Sequence, residues 1–461
     1  MFHMREASMM TGNSYLFPQV YSAAEVDMLP GFASPILRPT AGRYWRTLKH
    51  LRLSQIMYRA LHRTFGKNDI HGWSPASVSL RFQQQLLHMA EWQPELARQV
   101  IRVGGIRFVE PSARSDEDAS WCAREVSRRQ IFHANYCDFL NVDLTSLEDT
   151  ELLCEALRIT LSWCDQNPTG REFAWQPFSL SVRIVNWLKF LVRNNARARA
   201  LGNGQQIDQV LASLRLQVLS LESRLERELL ANHLLKNAKA LVFAGTLLEA
   251  PEADRWRSVG KQVLMEQIAE QILPDGGHIE RSPMYHAWVL DDMLDIKQLF
   301  ELYPPDDHQC VVSVSICVAR MTRYLGAIIH PDGEIPLLND SQMDVTRPTR
   351  QILADAGALE WIVPQSGTEL RILPATGYAT IRDHDSRSFL IFDCGPLGDA
   401  ERRKGSGTAN WNDGWIPIGQ LAEYVIPRPA AAPRVRSKQV APTYPPPRTR
   451  RASPSSRSQM T

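Results

Sequence analysis

Apolar residues recur three and four positions apart through most of the chain, from about residue 44 to residue 299. This spacing places them on one face of a helix. It is clearest at residues 214–235, which we predict to form one amphipathic helix. The apolar stripe of that helix consists of Leu214, Val218, Leu221, Leu225 and Leu229.

Other segments with the same spacing predict further helices. These segments are residues 77–90, 147–164, 179–194, 256–272, 288–302 and 311–328. Helices of this length joined by short links are typical of a helical bundle, solenoid or toroid.

The pattern changes after Leu373. Residues 377–381 and 388–393 are predicted to be strands joined by a turn at residues 384–386. From residue 426 onward the chain is rich in Pro, Arg, Ala and Ser and contains no acidic residue. Such a segment buries too little apolar surface to offset its chain entropy, and we predict that it is disordered.

Charge is distributed unevenly along the chain. The formal net charge is +2, but eight Lys and Arg residues follow Glu423, and the remainder has 44 basic against 50 acidic residues. An acidic body is not typical of a general nucleic-acid binder, although it is compatible with a local basic cleft. We therefore predict no nucleic-acid partner.

Cysteines and apolar runs narrow the class of protein further. The seven cysteines include no CxxC pair, so the spacing predicts neither a zinc site nor a disulfide framework. The first residues lack the pattern of a signal peptide, and no apolar run approaches the roughly 18 residues of a membrane span. We expect no membrane insertion and a cytoplasmic location, or a periplasmic one if a leader precedes Met1. Oligomeric state is not indicated.

Four local patterns occur in a fixed order along the chain. They are WQPFSLSVRIVNW at residues 175–187, NHLLKNAKAL at 232–241, DGGHIERSPMYH at 275–286, and PDGEIP at 331–336 followed by Asn339-Asp340. Together they resemble the signatures of heparinase II/III-type polysaccharide lyases. The resemblance covers most of residues 40 to 398.

This resemblance implies a fold class, which is mainly α. Members have an incomplete α/α toroid followed by an antiparallel β-sandwich. We accordingly divide the chain into an N-terminal extension (1–40), a toroid domain (41–370), the truncated start of a β-sandwich (371–398) and an aberrant, disordered tail (399–461). The abrupt start of that tail favours a frameshift in a GC-rich reading frame over a selected interaction tail.

The resemblance also implies an activity, the β-elimination of a uronic-acid polysaccharide. No organic cofactor is expected, and no metal, because the family's metal, where present, is held by sandwich residues that this chain lacks. Elimination across C4–C5 of a uronate requires a neutralised carboxylate, a base for the C5 proton and an acid for the leaving O4.

By resemblance, three residues would supply this chemistry. Asn232 or His233 would neutralise the carboxylate, and Tyr285 would act as the acid and, for one substrate epimer, as the base. A sandwich histidine completes the family's pattern, but no histidine follows His384. We therefore expect weak or undetectable activity. Spacing alone favours a hydrogen-bonded core histidine at His233 and an ordinary packed side chain in a loop at Tyr285, and the surrounding motifs reverse this preference.

The same patterns nominate residues that would contact the acidic polysaccharide. Sugar sites combine flat aromatic faces with bidentate donors, and Arg suits a carboxylate. The predicted substrate-binding residues are Trp175, Arg183, Asn186, Trp187, Glu280, Arg281 and His286. By contrast, Asp291, Asp292 and Asp295 are predicted to be an exposed helix surface.

Two other functions remain open from the sequence. One is a catalytically dead, glycan-binding toroid associated with polysaccharide metabolism. The other is glycoside hydrolysis on an α/α toroid, which requires two facing carboxylates. Glu280 is the best-placed carboxylate for that role. The sequence does not specify which polysaccharide is bound.

Overall fold

Helices make up most of the structure, and a small sheet follows them. The computed structural model describes residues 57, 77–81, 94–102, 128–170, 173–227, 229, 231–343, 345–358, 366–395 and 421–425. The helices are α1 (Pro94–Arg102), α2 (Arg128–Tyr136), α3 (Thr150–Gln166), α4 (Pro177–Ala200), α5 (Gly204–Glu222), α6 (Ala231–Leu247), α7 (Ala253–Gln271), α8 (Pro283–Leu302), α9 (His308–Ile328) and α10 (Thr349–Asp355). The strands are β1 (Ser79–Leu80), β2 (Leu248–Glu249), β3 (Thr368–Leu373), β4 (Tyr378–Asp383), β5 (Ser388–Asp393) and β6 (Leu421–Val425). The N-terminal extension predicted for residues 1–40 lies outside the described residues.

The helices form two layers. Helices α2, α4, α6 and α8 contact one another in that order, while α3 packs on α5 and α7 packs on α9. Each of α4, α6 and α8 also packs against the helix that follows it in the chain. This alternation of inner and outer helices is an α/α toroid, which confirms the predicted fold class.

Local capping sets where two of these helices begin. The Ser282 side chain accepts a hydrogen bond from the backbone N–H of Tyr285, and Pro283 occupies the first turn, so α8 begins at Pro283. The Asp307 carboxylate caps α9 in the same way. Tyr285 therefore lies in the first turn of a helix, and the prediction of a loop at this position is wrong.

The helix predicted over residues 214–235 is interrupted. Helix α5 ends at Glu222 and α6 begins at Ala231. Between them, the Asn237 side chain accepts the backbone N–H of Glu226 at 2.8 Å, a bond that competes with helical pairing. Leu225 remains buried, but Leu229 is 36% exposed. The apolar spacing thus continues between α5 and α6, although the helix itself is interrupted where Asn237 accepts the hydrogen bond from Glu226.

Helices α6 and α7 approach each other closely at two glycines. A Cβ atom on Gly245 would lie 2.3 Å from the backbone nitrogen of Arg257 and 2.5 Å from the carbonyl oxygen of Ala253. A Cβ on Gly260 would lie 2.8 Å from the backbone nitrogen of Val242. Only the absence of side chains at these positions allows this contact between the two layers.

Strands β3 to β6 form an antiparallel sheet in sequence order. The third motif holds this sheet against the helical domain, because the Asp275 carboxylate accepts hydrogen bonds from the backbone N–H and the hydroxyl of Thr376, at 2.7 and 3.0 Å. On the other side of the loop, the Tyr378 hydroxyl donates to the carbonyl oxygen of Arg281 at 2.5 Å. Asn339, from the fourth motif, donates to the same carbonyl at 2.9 Å.

The sheet departs from its prediction at both ends. Strands β4 and β5 lie where predicted, but β3 was missed, and it begins before the proposed boundary at residue 371. Leu370 and Ile372 of β3 are exposed. The alternation of apolar and polar residues there is therefore not a sign of a buried strand face, and the sequence pattern does not separate this strand from a link between elements. Strand β6 pairs with β5 inside the tail of residues 399–461, and the prediction of disorder is wrong for these five residues.

The helix predicted over residues 77–90 does not begin where expected. In this segment, residues 79–80 form β1, which pairs with β2, and residues 82–90 lie outside the described part.

Helix α9 is long and apolar enough to cross a membrane by length and composition alone. About half of that apolar window is buried within the protein, as in a core helix.

Replacing Gly245 by Ala tests the close contact of α6 and α7. Ala has the higher helix propensity, by about 1 kcal/mol. The new methyl group, however, overlaps backbone atoms that cannot move alone, so we expect a loss of about 1–3 kcal/mol in the free energy of unfolding. Urea unfolding measures it.

Gly204→Ala is the matched control. It lies at the start of α5, where a Cβ would meet only an Arg199 side-chain nitrogen, at 3.5 Å. Its stability should be unchanged or slightly higher. Equal stability of the Gly245 variant and the wild type would contradict the packing described here.

Candidate active site

A cleft opens between the inner helices α4, α6 and α8, with a cavity of about 130 Å³. Polar and charged side chains dominate its walls. They include Tyr136, Asp138, Asn141, Asn186, Lys189, Lys236, Lys239, Asp291, Asp292, Asp295 and Arg347, with Trp288 at one side. The inner helices therefore turn a polar face toward the cleft and apolar faces toward the outer layer.

Three lysines and two aspartates form one ion-pair network in this cleft. Lys236 donates to Asp292 at 2.6 Å, and Lys239 donates to the other oxygen of Asp292 at 2.8 Å. Asp295 accepts from Lys239 and, at 2.5 Å, from Lys189. Burial alone would raise the pKa of Asp292, but Lys236 and Lys239 outweigh it and hold that pKa below its usual value. Burial has the opposite sign for the lysines and lowers the pKa of Lys236 and of Lys189.

Arg347 extends the network on the far side of α8. Its guanidinium donates to Asp291 at 2.5 and 3.0 Å and also pairs with Asp355 at 2.8 Å. Arg347 is nearly buried. It ties the loop before α10 to the helix that carries Tyr285.

Asp138 and Asn186 form a second polar group in the cleft. The Asn186 amide donates to Asp138 at 3.0 Å and to the carbonyl oxygen of Tyr136 at 2.8 Å. Its own oxygen accepts from Asn141 at 2.9 Å. Burial raises the pKa of Asp138 to about 6, because the hydrogen bond from Asn186 and the charge of Lys236 only partly compensate. Asp138 is thus a carboxyl group that titrates near neutral pH.

His233 is held by a carboxylate. Its Nδ1 lies 3.1 Å from Glu226, and since a carboxylate only accepts, Nδ1 carries the proton in this bond. Asn237 donates to the other oxygen of Glu226 at 3.0 Å, which fixes the carboxylate in turn. Phe178 packs on the imidazole with ring centroids 4.5 Å apart. The arrangement sets both the tautomer and the orientation of His233.

Asn232 stands beside His233 in the first turn of α6. It is 4% exposed, and its side chain makes no hydrogen bond within the part of the chain that the structure describes. The first turn of a helix presents backbone N–H groups and a partial positive charge. Asn232 and His233 therefore occupy a location that favours an anion.

Trp288 connects Tyr285 to the cleft. The two rings stack at 6.4 Å with an angle of 13°, and Lys236 lies 4.1 Å above the indole. Phe178 meets Trp288 edge-on at 6.1 Å. Aromatic rings thus join Tyr285 to His233 through Trp288 and Phe178. Tyr285 itself is 1% exposed.

The turn before α8 carries Glu280 and Arg281. The backbone N–H of Glu280 donates to His278 at 3.4 Å. Arg281 adopts a positive φ of 55°, and its guanidinium donates to the carbonyl oxygen of Thr376 at 3.1 Å. Within the described contacts, Arg281 faces the sheet junction.

Comparison with known proteins shows to which family the helical part of the chain is similar. Residues 149–357 match the family model described as Heparinase II/III N-terminus. The chain is 30% identical over 155 residues to a heparin-sulfate lyase of Bacteroides thetaiotaomicron, and 29% identical over 194 residues to one of Pedobacter heparinus. Residues 149–357 are thus similar to the N-terminal domain of heparinase II/III-type proteins.

Coverage of these relatives is partial. The two alignments span 32% and 39% of this chain, but only 21% and 27% of the lyases. A crystal structure of heparinase III superposes with a TM-score of 0.51 at 15% identity, over 77% of this chain and 62% of that one. A second heparinase III structure superposes with a TM-score of 0.50 at 14% identity, over 82% and 64%. This likeness shows that the fold is shared.

The residues of the first heparinase-like motif fall into two groups, those that pack in the core and one that lines the cleft. Arg183 is fully buried, and its guanidinium donates to Gln217 at 2.8 Å and to the carbonyl oxygens of Asn135 and Ala174 at 2.8 and 2.7 Å. Trp163 lies against it at 3.8 Å. Burial lowers the pKa of Arg183 to about 9, which leaves it protonated at neutral pH. The structure thus places Arg183 in the core and does not bring it to the cleft.

The two tryptophans of this motif are also internal. Trp187 is fully buried against Trp163, and Trp175 donates to the carbonyl oxygen of Asn167 at 3.0 Å. Both rings pack within the core, so the structure does not bring these two predicted substrate-binding residues to the cleft. Of the four motif residues nominated for substrate, only Asn186 reaches the cleft.

His286 is a core residue as well. It is 1% exposed, and its Nε2 lies 3.0 Å from the carbonyl oxygen of Met321, which only accepts, so that nitrogen carries the proton. Burial lowers the pKa of His286 to about 4. The imidazole of His286 is thus held within the core, and the structure does not bring it to the cleft.

The structure adds functional candidates that the sequence did not reveal. Asp291, Asp292 and Asp295 were predicted to be an exposed helix surface, but they line the cleft and pair with cations from other helices. The missed signal was the spacing of Lys236 and Lys239 on α6 and of Asp292 and Asp295 on α8, each three apart and on one helix face. Within the described ranges, no three His, Cys, Asp or Glu side chains are grouped as a metal site.

Asp138 predicts a pH dependence of stability. A carboxyl group whose pKa rises from 3.8 to about 6 on folding binds more protons in the folded state between those values. Stability should therefore fall as pH increases through this window. Asp138→Asn keeps the acceptor for Asn186 but cannot ionise, so its stability relative to wild type should rise from about pH 4 to about pH 6 and then level off.

Urea unfolding at a series of pH values measures this difference. Asp208→Asn is the matched control, because Asp208 is largely exposed and pairs only with Arg199. A difference between Asp138→Asn and wild type that does not change with pH would contradict the assigned environment.

The core contacts of Arg183 predict that its substitution lowers the stability of the protein and does not act on glycan binding directly. Arg183→Met keeps much of the side-chain volume but leaves three buried acceptors without a donor. We expect the free energy of unfolding to fall by at least about 2 kcal/mol, since each unsatisfied buried group costs roughly 1–3 kcal/mol. Chemical unfolding tests this, and full stability with loss of glycan binding would restore the original prediction.

Proposed function

We propose that this chain is a polysaccharide lyase that cleaves a uronic-acid polymer by β-elimination. The named relatives are heparin-sulfate lyases, which favours a glycosaminoglycan substrate. The observation that supports this most is the placement of Asn232 and His233 side by side in the first turn of α6, with Glu226 holding the imidazole. Elimination starts by stabilising a uronate carboxylate, and this site suits an anion.

In the proposed reaction, the phenolate of Tyr285 removes the proton from C5 while the carboxylate is neutralised, and the phenol formed in this way is the acid for O4. The electron pair forms the C4–C5 double bond, the C4–O4 bond breaks, and an acid protonates O4. We assign carboxylate neutralisation to Asn232 and His233. Because Glu226 accepts the Nδ1 proton of His233, it fixes the orientation of the imidazole that would meet the carboxylate.

Tyr285 is the proposed proton donor to O4. It lies one helical turn from Trp288, which lines the cleft, and the two rings stack. Its small exposed fraction means that a bound sugar reaches it only if the surrounding side chains adjust. Glu280 and Asn186 are proposed to contact the sugar hydroxyl groups at the edges of this site.

The charge balance of the cleft is compatible with an acidic ligand. The lysines there are already paired with aspartates, so they do not form an open binding site for anions. Lys236 lies above the Trp288 ring, which in turn stacks on Tyr285. A uronate at the α6 terminus would thus be bound by Asn232, His233 and the helix end.

Incubation of the full chain with heparan sulfate tests the proposal. Elimination creates an unsaturated uronate, which is followed by its ultraviolet absorbance. We expect Tyr285→Phe and His233→Gln each to lower the rate by about 10²–10⁴-fold, the usual effect of losing a positioned acid or base group. Far-ultraviolet circular dichroism checks that the variants are folded.

Two controls match these variants. Tyr324→Phe removes a buried hydroxyl from α9, and His308→Gln changes an exposed histidine at the start of that helix. Both should retain the parent rate. Binding without any absorbance change would favour a glycan-binding role, and an unchanged rate in Tyr285→Phe would exclude Tyr285 as the acid.

A further inference from the structure

A second cavity, of about 490 Å³, lies where α6 ends and α7 begins. The link between α8 and α9 closes one side, and Arg81, after β1, borders the other. It shares no lining residue with the cleft described above. Its volume is within the range of about 300–1,000 Å³ that is typical of small-molecule sites.

Cations from two parts of the chain converge on this cavity. Arg257 and Lys261 lie four residues apart and thus on one face of α7, and Arg81 reaches the same space from β1. Two acids, Asp254 and Asp306, also line it. Asp254 pairs with Arg257 at 2.7 Å, whereas neither Lys261 nor Arg81 forms an ion pair within the described residues. The lining therefore carries one excess positive charge.

The remaining walls suit a sugar ring. Tyr303, Pro304 and Pro305 offer flat apolar surface, and the hydroxyl groups of Thr246 and Ser258 offer hydrogen bonds. Pyranose rings pack their apolar faces on such surfaces while their hydroxyl groups bond to polar side chains. A site with an aromatic face, hydroxyl groups and uncompensated cations combines the features that an acidic sugar requires.

We propose that this cavity is a second binding site for an acidic saccharide, one that holds a carboxylated or sulfated sugar outside the cleft. Lys261 and Arg81 would contact the anionic group, and Tyr303 with Pro304 and Pro305 would contact the ring. The polymer as its ligand rests on the proposed function, but the binding of an acidic sugar does not. A lyase that holds its polymer at two sites gains effective concentration at the cleft.

Isothermal titration calorimetry of the full chain tests this, with a heparan sulfate octasaccharide, inorganic sulfate and a neutral maltooctaose as probes. Titrations are made in an Asn232→Ala background to weaken binding at the cleft. We expect the octasaccharide to bind, and Lys261→Met to weaken it at least about fivefold, which corresponds to the roughly 1 kcal/mol of one exposed charge contact. Arg81→Gln should act in the same direction. Maltooctaose should not bind.

Lys297→Met is the matched control, because Lys297 is a half-exposed lysine of α8 that pairs with Glu301 away from this cavity. Its octasaccharide affinity should equal that of the background. If Lys261→Met has no effect, if Lys297→Met weakens binding equally, or if maltooctaose binds as well as the octasaccharide, the proposal is overturned. Binding of sulfate alone with the affinity of the octasaccharide would identify a simple anion site and would also overturn it.

The test is independent of turnover. Binding is measured whether or not the absorbance assay detects elimination, so failure of the lyase proposal leaves this result interpretable. If elimination is detected, Lys261→Met should raise KM for the polymer several-fold and leave kcat unchanged, because Lys261 is remote from the cleft residues. A fall in kcat would contradict a site that acts through binding alone.

Discussion

Lys189, Lys236 and Lys239 share two aspartates of α8 at the centre of the helical domain, and the arrangement of the inner helices depends on this sharing. Each ion is nearly buried, and an unpaired charge there would cost several kcal/mol. Pairing is possible only when α4, α6 and α8 are rotated so that these faces meet. The same rotation brings Asn186 and Trp288 to the cleft and places Tyr285 behind Trp288. The ion-pair network thus constrains the geometry of the candidate active site.

A similar constraint operates where the helical domain meets the sheet. Asp275 satisfies the backbone and side chain of Thr376, while Asn339 and Tyr378 satisfy the carbonyl oxygen of Arg281. Arg281 is held at a positive φ, which a residue other than glycine adopts only when its surroundings stabilise it. Two of the motifs that resemble the family therefore join the sheet to the helices at the end of the cleft.

The family motifs combine two kinds of residue that spacing does not separate. Arg183 and Asn186 lie three positions apart on α4, yet Arg183 bonds to interior carbonyl groups and Asn186 lines the cleft. Both are polar residues flanked by tryptophans, so the pattern of residue types is the same for each. Burial distinguishes them, because the guanidinium of Arg183 has its donors engaged within the core. A motif can be diagnostic of the family and still consist partly of structural residues.

Helical spacing by itself determined the mainly helical fold, and the order of the motifs determined the resemblance to heparinase II/III-type lyases, because both depend on the local sequence. The break between α5 and α6 was decided by tertiary structure, since it depends on Asn237 reaching back to Glu226. Tertiary structure also decided three other features. They are the pairing of Asp292 and Asp295 with lysines of other helices, the raised pKa of Asp138 and the burial of Trp187. Each of these depends on which distant side chains meet in a low-dielectric interior, and spacing along one helix specifies only which face a residue occupies.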